Sequence, residues 1–169
     1  MGAWTAPLLV ASALLAVAGA PKILDPTNTV GALRSVGVRV PAASVRVLGA
    51  LEAALGVATL LTAARPLAAL VAASYAAFSV FLVVALRKGG AVSSCGCVGR
   101  ADTPPTRSHL AVTAGLAVTS LFAAISGADG LSTMAWSATT VTALGFAALG
   151  AWLVWLVFTA LPRLLPKGS

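Results

Sequence analysis

The chain has 169 residues, of which 59% are hydrophobic and only 9% are charged, with a net charge of +7. A soluble domain normally has about a quarter of its residues charged, so this composition excludes a soluble globular fold. It also excludes an intrinsically disordered chain, because disorder requires low hydrophobicity. The positive charge alone would suggest a nucleic-acid partner, but the basic residues are placed as membrane-topology signals, and no nucleic-acid partner is expected.

Five stretches are long and apolar enough to span a bilayer, since a spanning helix needs about 20 mainly apolar residues. The sequence therefore predicts a single integral membrane domain over residues 1–169, an all-α polytopic membrane helix bundle. The predicted spans are residues 4–20, 43–62, 66–86, 109–125 and 137–161.

The first stretch resembles a secretory signal but is expected to remain as a helix. No Lys or Arg precedes its apolar run, and Pro21 would directly follow a cut after Ala20. The segment after it, residues 21–41, is too charged to span. Its residues 25–28, Asp-Pro-Thr-Asn, form a candidate cap for a short interfacial helix.

The basic residues lie almost entirely on one side of this predicted bundle. The side with the N-terminus carries Arg65 alone, whereas the other side carries Lys22, Arg34, Arg39, Arg46, Arg87, Lys88, Arg100, Arg107, Arg163 and Lys167. Basic loops are retained in the cytoplasm. We therefore expect a multi-pass protein of the cell (inner) membrane, with its N-terminus outside and its C-terminus inside.

Both cysteines of the chain lie in Cys95-Gly96-Cys97, within the predicted loop 87–108. A disulfide between residues i and i+2 closes a very small ring, so it is strained and easily reduced, and Gly96 provides the permissive backbone that this ring needs. Cationic neighbours favour the reactive thiolate. The loop supplies four: Arg87, Lys88, Arg100 and Arg107.

Three interpretations of the cysteine pair were compared. A structural disulfide is disfavoured, because so small a loop gains little chain entropy and the predicted compartment is reducing. A soft-metal site for copper, zinc or mercury is open, although two thiolates alone make an incomplete tetrahedral site. A redox-active dithiol is favoured.

Two further polar residues are candidate supporting groups. His109 opens the fourth predicted span beside the cysteine loop, where it is either a base or ion-pair partner for a cysteine or simply a histidine at a helix end. Glu52 lies in the middle of the second span, where an ionised carboxylate is costly. It is either a proton acceptor for thiol or quinone chemistry, a contact for a substrate headgroup, or a structural partner of Lys22 or Arg46.

The motif Cys95-Gly96-Cys97-Val98-Gly99 resembles the Cys-Gly-Cys-Phe-Gly signature of MauE-type proteins, the methylamine-utilisation protein E group, with Val98 at the Phe position. Lys22 with Asp25-Pro26, and Glu52 with Gly56, are similar to the front half of DoxX and MauE proteins. The resemblance covers roughly the first 125 residues. It implies a redox-associated membrane protein that supports disulfide formation or reduction in partners, often beside a thioredoxin-like protein.

The sequence thus predicts a membrane thiol–disulfide oxidoreductase with Cys95 and Cys97 as its catalytic residues. Its supporting residues are predicted to be Gly96, Arg100, Arg107, His109 and Glu52. A thioredoxin-fold or other dithiol protein is the expected partner, a quinone is a candidate cofactor, and oligomerisation is left open. The alternatives are a soft-metal binding or transport protein that uses the same dithiol, and an assembly or scaffold subunit.

Overall fold

The computed structural model of the protein describes residues 2–88, 106–135 and 137–159. Six helices follow one another in these ranges: α1 Thr5–Leu24, α2 Thr27–Ser35, α3 Ala42–Thr62, α4 Arg65–Arg87, α5 Arg107–Ser126 and α6 Ala138–Thr159. No strand occurs in them. The predicted all-helical membrane bundle is therefore confirmed.

Four of these helices, α1, α3, α4 and α5, are long and apolar enough to cross a membrane. They coincide with the first four predicted spans, with differences of a few residues at their ends. Helix α6 lies over the fifth predicted span and contains a further apolar stretch, Thr140–Leu156. A fifth crossing by α6 stays a prediction.

The end of α1 differs from the prediction in a way that affects the site. The predicted span stops at Ala20, before a segment that is too charged to span, but α1 continues to Leu24 with Pro21 inside it. A proline in a helix removes its own N–H donor and crowds the carbonyl four residues earlier, but the Pro21 carbonyl still accepts a hydrogen bond from the Asp25 N–H at 2.8 Å. Lys22, predicted to lie on the basic cytoplasmic side as a topology signal, is therefore a buried residue in the last turn of α1.

Helices α1 and α3 pack with their backbones in contact. A Cβ atom at Gly56 would lie 2.6 Å from the Ala16 nitrogen and the Ser12 carbonyl oxygen, and one at Gly19 would lie 2.4 Å from the Gly49 carbonyl oxygen. Lipid removes the hydrophobic drive between helices, so close backbone packing through small residues is what holds them together.

Helix α2 connects α1 to α3 and packs on the end of α4. It starts where the Asp25 carboxylate accepts hydrogen bonds from the Thr27 hydroxyl and the Thr27 N–H, the latter at 3.1 Å. These bonds hold the pKa of Asp25 below its ordinary value. At its other end, Ala32 packs against Ala85 of α4, and the Lys88 ammonium donates to the Val36 carbonyl at 2.6 Å. The predicted short helix is present, with Asp25 just before its start, and its interfacial position stays a prediction.

The opposite end of the bundle is closed by the α5–α6 connection. The N–H groups of Leu131 and Ser132 donate to the carbonyls of Leu60 and Leu61, each at 3.0 Å, and so satisfy carbonyls at the end of α3. The Asp129 carboxylate accepts from the Gly2 N–H at 3.1 Å. These contacts hold the N-terminus, α3 and the connection together.

The contact between α1 and α3 gives the first prediction. Gly56→Ala should lower the melting temperature of the purified protein in detergent, because the new Cβ meets backbone atoms that cannot move independently of α1. Overpacking of this kind costs about 1–3 kcal/mol. The matched control is Gly115→Ala in α5, where a Cβ meets nothing within 4 Å. An equal loss of stability in both variants would show that the α1–α3 contact is not tight.

Candidate functional site

The cysteine motif lies between α4 and α5, outside the residues that the structure describes, and so do Gly96 and Arg100. The described flanks show which helices it joins. Ser79 of α4 donates to the Thr113 hydroxyl of α5 at 3.1 Å, and Ala68 packs in one cluster with Ala123. The contact nearer the end of α4 is made near the start of α5, and the contact near the start of α4 is made near the end of α5. The two helices are therefore antiparallel neighbours. The cysteine segment therefore leaves and rejoins the bundle at the same end.

Three basic residues flank the cysteine segment within the described chain. Arg87 and Lys88 end α4, and Arg107 is the first residue of α5; all three side chains are exposed. Cations near a cysteine favour its thiolate. The end of the bundle that carries the dithiol is thus electropositive, and the supporting role of Arg107 stays a prediction.

His109 has a structural role at the start of α5. It forms a capping box with Thr106, in which the His109 N–H donates to the Thr106 hydroxyl and the Thr106 N–H donates to His109 Nδ1, both at 3.2 Å. A glutamate or glutamine usually holds this position. Because Nδ1 accepts the amide hydrogen, the neutral ring carries its proton on Nε2. The helix-end interpretation of His109 is therefore confirmed, whereas a role toward the cysteines stays a prediction.

Glu52 forms a buried ion pair with Lys22. Its Oε2 accepts from the Lys22 ammonium, and the two residues are only 3% and 2% exposed. The Lys22 ammonium also lies 4.9 Å from the centre of the Phe78 ring, a favourable cation–π position. Of the two structural partners considered for Glu52, the structure selects Lys22, and Arg46 is exposed on α3.

The glycines of α3 explain how this pair forms. Gly49 lies three residues before Glu52 and Gly56 four residues after it, so all three share one face of α3. A Cβ atom at Gly49 would lie 2.7 Å from the Cβ of Lys22. The backbone contact therefore places the two charges at the same depth, where each removes the cost of an unpaired charge in lipid.

The second oxygen of the Glu52 carboxylate is unpaired within the described residues. Its Oε1 atom is buried and has no hydrogen-bond partner among the described residues. Buried polar atoms in proteins are nearly always hydrogen-bonded. Oε1 of Glu52 is therefore an unsatisfied buried acceptor within the described part of the chain.

A cleft of about 640 Å³ lies beside the ion pair, between α2, α3 and α4. Its lining is mainly apolar, and its polar members include the two partners of the ion pair. The lining residues are Lys22, Thr29, Leu33, Leu48, Leu51, Glu52, Leu55, Leu70, Ala73, Ser74, Ala77, Phe78 and Phe81.

Sequence reasoning did not place Lys22 in a site or predict this cleft. One signal was present: Ser12, Ala16 and Gly19 are spaced by four and three residues, and Lys22 follows three residues later on the same helix face. This pattern continues only if α1 extends past Pro21. The early stop at Ala20 concealed it.

The ion pair gives the second prediction. Lys22→Met should lower the unfolding free energy by about 3–5 kcal/mol, because it leaves the Glu52 carboxylate buried without its partner. The double variant Lys22→Met with Glu52→Leu should recover most of the loss. Thermal unfolding of the purified protein measures both effects. Arg39→Met, which removes an exposed cation, is the control. A double variant no more stable than the single one would show that the pairing contributes little.

Comparison with known proteins agrees with the resemblance carried by the cysteine motif. The family model described as "Methylamine utilisation protein MauE" matches residues 1–156. The matched region includes α1 to α5, the cysteine segment and most of α6. No curated protein and no solved structure matches the chain. The MauE resemblance is confirmed, and the relation to DoxX proteins stays a prediction.

Proposed function

Because the chain belongs to the MauE family of membrane proteins, we propose that it is a membrane thiol–disulfide oxidoreductase with Cys95 and Cys97 as its redox pair. The observation that carries this proposal is the Cys-Gly-Cys motif, which contains both cysteines of the chain and lies within the matched region. Two thiols separated by one glycine form a strained disulfide that exchanges readily.

The proposed exchange passes through a mixed disulfide with a partner protein. A thiolate of one protein attacks a disulfide of the other, one sulfur leaves as a thiolate, and the second cysteine of the attacking pair then displaces the partner. Two electrons and two protons move from the dithiol of one protein to the disulfide of the other. A thioredoxin-fold or similar dithiol protein is the expected partner, since it carries the matching pair of cysteines.

Positive charge at this end of the bundle supports the exchange. Arg87, Lys88 and Arg107 flank the segment, and Arg100 lies three residues after Cys97. These cations stabilise an attacking or leaving thiolate by Coulomb attraction. His109, the single histidine of the chain, is held by Thr106 at the start of α5 and is the proposed base or ion-pair partner for a cysteine.

Trapping experiments give the third prediction. Cys95→Ser and Cys97→Ser, each expressed in the native host, should accumulate a mixed disulfide, because the remaining cysteine can attack a partner but no second cysteine resolves the bond. Non-reducing electrophoresis and mass spectrometry would identify the partner. The double Cys95→Ser, Cys97→Ser variant is the control and should trap nothing.

The same variants distinguish the alternative functions. The soft-metal function would be favoured by two results together. The purified wild type would hold stoichiometric copper, zinc or mercury that the double variant lacks, and no partner would be trapped. Normal partner assembly with the double variant and no trapped disulfide would favour a scaffold. Either result would reject the oxidoreductase proposal.

The orientation gives the fourth prediction. We propose that the end bearing the cysteine segment faces the cytoplasm, because six of the seven described basic residues other than the buried Lys22 lie at that end, and only Arg65 lies at the other. In a cysteine-free background, Ala135→Cys should react with an impermeant maleimide on intact cells. The matched variant Arg39→Cys, also at an exposed position, should react only after the cells are lysed. The reverse pattern would invert the topology.

A further inference from the structure

We propose that the cleft beside Lys22 and Glu52 binds the headgroup of a membrane quinone, which accepts electrons from the Cys95–Cys97 dithiol. This inference rests on the proposed function for its electron donor. The binding site itself rests on the described residues of α1, α2, α3 and α4 and does not include the cysteine segment.

The size and lining of the cleft suit a flat, mostly apolar ring. Its volume of about 640 Å³ lies within the range of small-molecule sites, about 300–1,000 Å³. Phe78 and Phe81 lie one turn apart on α4 and both line it. Aromatic side chains pack favourably against a planar ring at offset or edge-on geometry.

The polar groups of the cleft match the two oxidation states of a quinone. The Lys22 ammonium has three N–H donors, one of which goes to Glu52 Oε2, and an ammonium donates well to a quinone carbonyl. Glu52 lines the cleft, and its buried Oε1 has no partner among the described residues. It can accept a hydrogen bond from a quinol hydroxyl. A phospholipid acyl chain would satisfy neither group.

The rim of the cleft indicates access from the lipid. Leu48 and Leu51 of α3 and Leu70 of α4 line the cleft, and their side chains are exposed on the lipid-facing surface of the bundle. A polar ligand dissolved in water would have to cross this apolar rim. A quinone is soluble in the bilayer and reaches the rim by lateral diffusion.

The cleft is also close along the chain to the dithiol. Phe81 precedes Lys88 by seven residues of helix, about 10 Å, and the cysteine segment follows Lys88. Oxidation of the two thiols to a Cys95–Cys97 disulfide releases two electrons and two protons. Reduction of one quinone to its quinol consumes two electrons and two protons, so the exchange balances without another co-reactant. The disulfide then oxidises a partner dithiol.

The test is ligand-dependent thermal stabilisation of the full-length protein in detergent, because a ligand that binds only the folded state raises its melting temperature. The probe is decylubiquinone, and decylbenzene is the apolar match that lacks the carbonyl groups. We expect decylubiquinone, and not decylbenzene, to raise the melting temperature.

Two α4 variants locate the binding site. Ala76 and Ala77 are both exposed, but Ala77 lines the cleft and Ala76 does not. Ala77→Phe should weaken decylubiquinone binding by roughly tenfold or more, because the new ring occupies the headgroup space. Ala76→Phe should bind as the wild type does. The stable double variant Lys22→Met with Glu52→Leu should lose the preference for decylubiquinone over decylbenzene.

Each result decides the inference. Equal stabilisation by the two probes, or equal binding by Ala77→Phe and Ala76→Phe, would overturn the quinone site. Retained stabilisation in the Cys95→Ser, Cys97→Ser variant would support it, because binding does not need the dithiol. If decylubiquinone binds at the cleft but no mixed disulfide is trapped, the proposed function fails and the quinone site stands. If a mixed disulfide is trapped but decylubiquinone does not bind at the cleft, only the quinone site is rejected.

Discussion

Three glycines let the backbones of α1 and α3 touch, and much of the described structure depends on that contact. In lipid, Leu and Val side chains are as well solvated by acyl chains as by one another, so helices associate through close packing and polar contacts. Gly19, Gly49 and Gly56 allow an approach that any Cβ would prevent. The approach then brings Lys22 beside Glu52, and the ion pair in turn makes separation of the helices costly.

The cleft follows from the same contact. Helix α1 lies against α3, and it also accepts a hydrogen bond from α4, where the Tyr75 hydroxyl donates to the Ala11 carbonyl at 2.8 Å. Helix α3 packs mainly on α1, whereas α4 packs mainly on α5, so α3 and α4 make few contacts with each other. The space between them stays open toward the lipid, with the ion pair at its inner wall and α2 across one end.

Hydropathy predicted what depends on local composition. Four spans and the short helix after α1 were found, because a bilayer imposes length and polarity on each segment separately. The end of α1 was missed, because a proline in a last turn loses little when its carbonyl still accepts the Asp25 N–H. The partner of Glu52 remained open between Lys22 and Arg46, since the choice depends on which helices pack together. The cysteine motif was visible in the sequence because it is a matter of covalent spacing alone, and its redox chemistry stays a prediction.

The burial of Lys22 also separates two uses of positive charge in this chain. A lysine in a loop orients a membrane protein through its position relative to the bilayer, whereas a lysine inside the bundle must be paired to be tolerated. Lys88 belongs to the first kind, and its ammonium also holds α2 through the Val36 carbonyl. Thr29 and Leu33 of that helix line the cleft. Lys88 is therefore connected to the wall of the cleft in two ways, through α2 and through the last two turns of α4. A displacement of Lys88 would move both of these walls.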